Sequence, residues 1–248
     1  MTITAKWIGS PNRKSGRAGH KPEAIVVHIM EGTLAGTDSW FKSTTSKVSA
    51  HYGIGQNGDV HQYVAEGDTA FHAGRTHSCT WKGRRKDVNP NLNTIGLEHE
   101  GQAATPWSDK MYNTSAELIA DIANRWSIPI DRDHIVGHRE IYGKKTCPGS
   151  KVDIDKLITL AKQHATAKGL YNFHASNGSA TAKADLNIRT GAPTTAAAKK
   201  RTAPAGSVLQ YVGWTSNGLT VNGNSHWYRD ANGDYFWAGA TDKPTPGM

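Results

Sequence analysis

The chain has 248 residues, of which 37% are hydrophobic and 20% charged, and its formal net charge is +8. This composition indicates a folded globular protein with room for one average domain and a smaller one. No apolar run approaches the roughly 18–20 residues that a membrane helix needs, so we expect no membrane insertion. Two cysteines exclude a disulfide framework.

The positive charge is spread along the chain, and no run of basic residues is longer than the three of 199–201, KKR. Such charge either keeps a surface soluble or attracts a polyanion. No nucleic-acid-binding signature accompanies it, so we expect no nucleic-acid partner, and an anionic cell-wall polymer accounts for the charge equally well. The basic N-terminus lacks the apolar core of a secretory signal peptide, so we expect synthesis in the cytoplasm without one.

Strand-like and helix-like segments alternate up to about residue 165, which predicts an α/β sheet covered by helices. Residues 24–30, AIVVHIM, form a short apolar run typical of a buried strand. Asn57-Gly58 between two alternating runs predicts a hairpin over 50–67, and residues 93–101 predict a further strand.

A helix is predicted over residues 113–128, where apolar residues recur at helical spacing. Thr114, with Glu117 three residues later, predicts a capping box at its start. Residues 134–138, HIVGH, predict a short strand, and 151–169 predict a closing helix.

Beyond residue 169 the chain changes character. Residues 170–183 are small and polar and predict a linker. Residues 184–248 are rich in Gly, Thr, Val, Tyr and Trp in short alternating runs, which predicts a small all-β module.

Three residues stand out among the many histidines and the two cysteines: His28 near the end of an apolar strand, His138 at the end of a second, and Cys147 in a tight loop. Catalytic zinc takes three such nitrogen and sulfur ligands and keeps one position for water. No HExxH or CxxC spacing is present, however. From spacing alone, a small buried apolar role for Cys147 remains the simpler interpretation.

Five motifs occur in the order found in one known family: IVVHIMEG, VSAHYGIGQNGDVHQYV, FHAGR, NTIGLEHEG and VGHREIYGKKTCPG. Over roughly residues 6–165 the chain therefore resembles the zinc-dependent N-acetylmuramoyl-L-alanine amidases, which include phage endolysins and share a fold with peptidoglycan recognition proteins. The resemblance implies a central mixed β-sheet flanked by helices. It also implies a peptidoglycan hydrolase that cleaves the amide bond between N-acetylmuramic acid and L-alanine.

The resemblance also implies a set of site residues. It places one zinc ion on His28, His138 and Cys147. It places the proton-transferring carboxylate on Glu98 and an oxyanion-stabilising lysine on Lys145. The five positions fall in three of the five motifs.

Two alternatives to Glu98 need weighing. Some phage enzymes of this type carry a catalytic tyrosine just before the histidine that matches His51, where this chain has Ala50. Those enzymes lack the glutamate, so we assign the role to Glu98 and not to Tyr52. Glu100 would share a strand face with Glu98, and only the motif match separates the two.

Two further histidines, His51 and His72, are expected to line the groove and bind substrate, although a structural role behind the metal ligands is equally open. Cys79 matches no ligand position and is expected to be a spare thiol.

The last 65 residues resemble bacterial SH3-like cell-wall-binding domains, on the segments ADLNIRTGAP, GSVLQYVGWTSNG and HWYRDANGDYFWAGA. This resemblance implies a small barrel that holds the enzyme at the wall. Of Trp214, Trp227, Tyr228 and Trp237 we expect at least half to be barrel core.

The sequence thus predicts a catalytic domain over 1–169, a linker over 170–183 and a wall-binding domain over 184–248. We expect a monomeric lytic enzyme or endolysin that reaches the bacterial wall through phage release or another export route. A non-catalytic peptidoglycan receptor on the same fold and a muropeptide-recycling amidase remain alternatives.

Overall fold

The chain divides into two compact units in a computed structural model, which describes residues 3–126, 128–168, 173–195 and 197–247. The first unit comprises Met1–Ile128 and Arg132–Ile158, and the second comprises Pro129–Asp131 and Thr159–Met248. None of the helices in the described ranges is both long and apolar enough to cross a membrane.

The first unit is built on a mixed sheet. Its strands are β1 (Lys6–Trp7), β2 (Arg13–Lys14), β3 (Ala24–Ile29), β4 (Tyr52–Ile54), β5 (Val60–Gln62), β6 (Thr69–Ala70), β7 (Thr94–His99) and β8 (Ile135–Gly137). Six of them form one sheet in the order β1-β5-β4-β7-β3-β8, and β2 pairs with β6 separately. Only β4 and β5 are antiparallel within the large sheet, and Gly58 closes their turn at a φ of 83°. The predicted hairpin and the expected mixed sheet are confirmed.

Helices accompany this sheet: α1 (Leu34–Lys42), α2 (Pro90–Asn93), α3 (Asp109–Trp126), α4 (His138–Ile141) and α5 (Ile154–Ala167). The predicted capping box at Thr114 is wrong, because α3 begins at Asp109 and Thr114 lies inside it. The hydroxyl of Ser108 accepts the N–H of Met111 instead. Met111 and Tyr112 are buried, so the apolar face of the helix extends one turn earlier than the predicted start.

The central strand β3 is buried along its whole length and positions His28. It runs parallel to β7, with His28 beside Glu98, and parallel to β8, with Val27 beside Gly137. Gly137 precedes His138, the first residue of α4. Since the carboxyl ends of parallel strands meet at one edge of a sheet, this register brings the three motif segments together.

The second unit contains one antiparallel sheet. Its strands are β9 (Phe173–Thr181), β10 (Leu186–Arg189), β11 (Lys199–Ala203), β12 (Val208–Thr215), β13 (Trp227–Arg229) and β14 (Tyr235–Trp237). They lie in the order β11-β10-β14-β13-β12-β9, and a 3-10 turn follows at Ala238–Ala240. The predicted all-β character is confirmed. Trp227 and Tyr228 are buried, while Trp214 and Trp237 are partly buried, so half of the four aromatic residues belong to the interior as expected.

The predicted linker requires a correction. Residues 170–172 lie outside the described ranges, but Phe173–Thr181 form strand β9 and pair with β12. Most of β9 is exposed, and it is held by backbone hydrogen bonds at the edge of the sheet. It therefore lacks the apolar alternation that reveals a strand in a sequence.

Candidate active site

Two histidines and a cysteine meet at the carboxyl edge of the first sheet. One donor atom from each of His28, His138 and Cys147 lies within 4.8 Å of the other two. Cys147 Sγ is 3.8 Å from His28 Nδ1 and accepts the backbone N–H of Ile29 at 3.3 Å. The structure therefore brings together the three residues that the motifs predict as metal ligands.

The charge states of this cluster fit a metal site. Burial, together with neighbouring positive charge, lowers the pKa of His28 well below its ordinary value and that of His138 to about 4. Both imidazoles are therefore neutral, which is the form that binds a metal. Burial, with the Glu98 charge adding to it, raises the pKa of Cys147 to about 12. A thiolate at this position requires a cation beside it, and two nitrogens with one sulfur form a three-ligand set that zinc uses.

His72 determines which nitrogen of His28 faces the cluster. The Nδ1 atom of His72 lies 3.1 Å from His28 Nε2, and His72 Nε2 lies 3.3 Å from the hydroxyl of Thr94. In this arrangement the Nε2–H of His28 donates to His72, and the Nε2–H of His72 donates to Thr94. The Nδ1 atom of His28 therefore remains free to bind a metal. His72 lines the cavity, as expected, and also orients a predicted ligand.

The cluster forms one wall of a cavity of about 350 Å³. Trp40, Phe41 and Phe71 contribute an aromatic surface, and the Trp40 side chain is 56% exposed. Glu31 and Lys145 contribute charge. The cavity thus combines apolar contact area with a small set of convergent polar groups, as ligand sites do.

Glu98 lines this cavity beside the cluster, with Oε1 4.0 Å from His28 Nδ1. Its Oε2 is buried and has no hydrogen-bond partner among the described residues. Burial raises the pKa of Glu98 to about 8, and the charge of Glu31 adds to the effect while that of Lys145 opposes it. A buried carboxyl with an unengaged oxygen beside a metal-type cluster is suited to proton transfer.

The two rivals of Glu98 are engaged elsewhere. Glu100 accepts the N–H of Leu34 at 3.1 Å through Oε1 and the N–H of Gln56 at 2.9 Å through Oε2. Tyr52 donates to Glu66 at 2.8 Å, and burial raises the pKa of its hydroxyl. Neither side chain lines the cavity, so Glu98 is the carboxylate that the geometry favours.

His51 does not line the cavity, which corrects the prediction that it contacts substrate. It is fully buried, and its Nδ1 accepts the N–H of Gly96 at 3.0 Å. Its Nε2 lies 2.8 Å from the Arg17 guanidinium and 3.2 Å from the carbonyl oxygen of Asp68. Burial and the Arg17 charge lower its pKa to about 3, so His51 is a neutral structural residue.

Lys145 and Cys79 occupy different surroundings. Lys145 is exposed in the cavity wall, where its charge lowers the pKa of both His28 and His138. Cys79 is half-buried against a hydrophobic cluster that includes Trp81, and it does not line the cavity.

Sequence reasoning missed several residues of this region. Arg17 is buried and donates to the carbonyl oxygens of Asn91, Leu92 and Thr94, and no local pattern marks it. Glu31 and Trp40 reach the cavity from the segment after β3, where nothing in their spacing signals a site. Gly96 was detectable, because an isolated glycine inside a strand indicates close approach of another group.

The comparisons with known proteins indicate the same family as the motifs. Residues 18–150 match the family described as N-acetylmuramoyl-L-alanine amidase (Amidase_2). N-acetylmuramoyl-L-alanine amidase A of Achromobacter lyticus is 36% identical over 124 residues, which are 49% of this chain and 62% of the relative. The 1,6-anhydro-N-acetylmuramyl-L-alanine amidase AmpD of Haemophilus influenzae is 37% identical over 117 residues, which are 47% of this chain and 60% of the relative.

The chain thus spans about three fifths of the length of these two relatives. A solved structure described as a Se-Met AmpD derivative matches with a TM-score of 0.55 and 26% identity, over 64% of this chain and 96% of that chain.

Proposed function

The chain belongs to the N-acetylmuramoyl-L-alanine amidase family, and we propose that it hydrolyses the amide bond between N-acetylmuramic acid and the L-alanine of the peptidoglycan stem peptide. The observation that carries the proposal is the cluster of His28, His138 and Cys147 with the unengaged Glu98 oxygen beside it. A receptor that only binds peptidoglycan needs neither a metal-type cluster nor a proton carrier. This argues against the non-catalytic alternative.

One zinc ion per chain would be held by His28 through Nδ1, by His138 and by Cys147. When bound, zinc lowers the pKa of a coordinated water to about 7 and polarises a carbonyl group. The backbone N–H of Ile29 supports the thiolate form of Cys147, and His72 keeps His28 in the required orientation.

Glu98 would take the proton from the attacking water and deliver it to the leaving amine. Its buried, unengaged Oε2 in the cavity wall places a proton-accepting atom beside the cluster, as both steps require. Lys145, in the same cavity wall, would donate to the substrate carbonyl oxygen as negative charge develops there. The aromatic surface at Trp40 would contact the substrate on the apolar side of the cavity.

The test is the bond that the purified enzyme cuts in intact peptidoglycan. Mass spectrometry of digested sacculi should show stem peptides that begin with a free L-alanine and glycan chains without peptide. Cleavage within the glycan or within the stem peptide would contradict the proposal. Activity only on soluble 1,6-anhydro muropeptides would favour a recycling enzyme, as the AmpD names of the relatives suggest.

We further propose that the second unit is an SH3-like wall-binding module that makes the chain an endolysin or a similar lytic enzyme. Its all-β sheet and the partly buried Trp214, stacked on His174 at 4.0 Å, support this proposal. Tethering such a module raises the local concentration of the enzyme at the polymer. A chain that ends after α5 should then cleave soluble muropeptides at the full rate and sacculi more slowly. Equal rates on sacculi would argue against targeting.

A further inference from the structure

A row of cationic side chains crosses the second sheet. In the strand register Lys199 lies opposite Arg189, Arg189 lies opposite Tyr235, and Tyr235 lies opposite Arg229. Directly opposed residues of antiparallel strands share a face, so Arg189, Tyr235 and Arg229 form one line over β10, β14 and β13, and Lys199 continues it on β11 across a shift in register after Ile188. Three strand spacings separate its ends, which is roughly 14 Å. We call these four residues the basic row.

The basic row lies on the face opposite the hydrophobic core of this unit. The neighbours that alternate with its members along the strands, Ile188, Tyr228 and Phe236, are all buried in the core cluster. Lys199 is exposed and Arg189 and Arg229 are partly exposed, whereas Tyr235 between the two arginines is buried, so the three cations are the accessible members of the row.

The charge of the basic row is unbalanced. Within the described ranges no carboxylate lies within ion-pair distance of Lys199, Arg189 or Arg229, whereas the adjacent Lys200 is paired with Asp234 at 2.6 Å. Like charges placed directly opposite each other, as Arg189 and Lys199 are, destabilise a sheet. Arg189 donates to the carbonyl oxygen of Ala197 at 2.8 Å, but in the described part of the chain no carboxylate offsets the three cations, and their mutual repulsion costs stability.

Arg229 is held in place by aromatic rings. Its guanidinium carbon lies 5.3 Å from the ring centroid of Phe173 and 5.9 Å from that of Tyr235. Gly213, on strand β12 between β9 and β13, leaves room for the Phe173 ring, since a β-carbon at Gly213 would stand 2.2 Å from that ring. The Nε atom of Arg229 is buried and has no hydrogen-bond partner in the described part of the chain. Stacking thus orients a guanidinium whose hydrogen-bonding capacity is not used within the protein.

Protection of a sheet edge does not explain this arrangement. Charged side chains on an edge strand discourage pairing with other chains, and this accounts for Lys199 on β11. Arg229 lies on β13, in the interior of the sheet, where there is no edge to protect.

We propose that the basic row binds a linear phosphodiester polymer of the cell envelope. A line of like charges matches an extended polyanion better than a single small anion, and planar guanidinium groups pair with phosphate oxygens in a bidentate manner. The interaction does not depend on the proposed amidase activity, because binding to this face involves no residue of the metal-type cluster, but it rests on the proposed wall-binding role of the second unit, whose ligand it names.

The test measures binding of the full-length protein to long-chain inorganic polyphosphate over a range of salt concentrations. Each neutralised phosphate of a single-stranded polyanion contributes about 0.7 to the slope of log affinity against log salt. The Arg189→Gln/Lys199→Gln variant should therefore bind more weakly, with a slope smaller by about 1.4. The matched control, Lys183→Gln/Lys243→Gln, removes the same charge from exposed positions of the same unit and should bind like the unaltered protein.

The single variant Lys199→Gln on the exposed edge guards against a folding defect and should reduce the slope by about 0.7. Poly-L-glutamate of equal charge should bind more weakly than polyphosphate. Equal losses in the two double variants would show bulk attraction and overturn the proposal. Absence of polyphosphate binding, or equal binding of polyglutamate, would overturn it as well.

Discussion

The imidazole ring of His72 lies against the backbone of Gly96, so closely that a β-carbon at residue 96 would stand 2.6 Å from two of its ring atoms. The same glycine donates its N–H to His51 Nδ1 at 3.0 Å. One residue of β7 without a side chain therefore accommodates the histidine that orients His28, and it also binds the buried histidine behind it.

Gly96→Ala should reduce amidase activity at least about tenfold and lower stability by about 1–3 kcal/mol, because the added methyl group displaces the His72 ring in a packed interior. The measurement compares kcat on a soluble muropeptide and the thermal midpoint with those of Gly67→Ala. A methyl group added at that control position would meet no heavy atom within 4 Å. Unchanged activity in Gly96→Ala would show that the position of His72 does not matter.

Cys147→Ser should lose most bound zinc, since a serine hydroxyl is a much poorer zinc ligand than a thiolate. Elemental analysis of the purified protein gives the metal content per chain. Cys79→Ser is the matched control and should retain the metal, because Cys79 packs against a hydrophobic cluster elsewhere. Full zinc content in Cys147→Ser would remove this cysteine from the ligand set.

Glu98→Gln should reduce kcat by about 10²–10⁴ with zinc still bound, because the amide matches the carboxylate in shape but cannot carry the proton. Glu100→Gln, one residue beyond the end of β7, is the matched control. It should affect stability more than kcat, since Glu100 accepts the N–H of Leu34 at the start of α1. If kcat fell less than tenfold in Glu98→Gln, or fell further in Glu100→Gln, the proton-transfer role would belong to a residue other than Glu98.

Glu66 predicts a pH dependence of stability. Burial alone would raise the pKa of its carboxyl, but hydrogen bonds from Arg125, Trp126 and Tyr52 outweigh burial and hold the pKa below its ordinary value. A lowered pKa stabilises the fold above the unfolded-state pKa of about 4.3, and this contribution is lost as the pH falls through the folded-state value.

Glu66→Gln should therefore lower the free energy of unfolding by about 1–2 kcal/mol at pH 7, a modest figure because Arg125 is 42% exposed. The difference from the unaltered protein should shrink below about pH 4. Denaturant unfolding at several pH values gives both quantities. The exposed Asp155→Asn serves as control and should show little difference at any pH. If the difference in unfolding free energy between Glu66→Gln and the unaltered protein stayed constant across the pH range, the lowered pKa of Glu66 would be contradicted.

The sequence by itself determined several elements of the first unit and its family. Apolar runs and turn residues marked β3 and the hairpin around Gly58, because burial and turn geometry act on neighbouring residues and leave a local pattern. The ordered motifs predicted His28, His138 and Cys147 as one ligand set, and the fold brings their donor atoms within 4.8 Å.

Only the tertiary structure distinguished residues whose local patterns are alike. Glu98 lies in β7 and Glu100 just beyond its end, and their roles differ because Glu100 binds the N–H groups of Leu34 and Gln56 from distant segments. Strand β9 and the basic row depend on pairing between strands far apart in the chain. Register and long-range hydrogen bonds leave no periodic signal in one sequence, so these features appear only once the chain is folded.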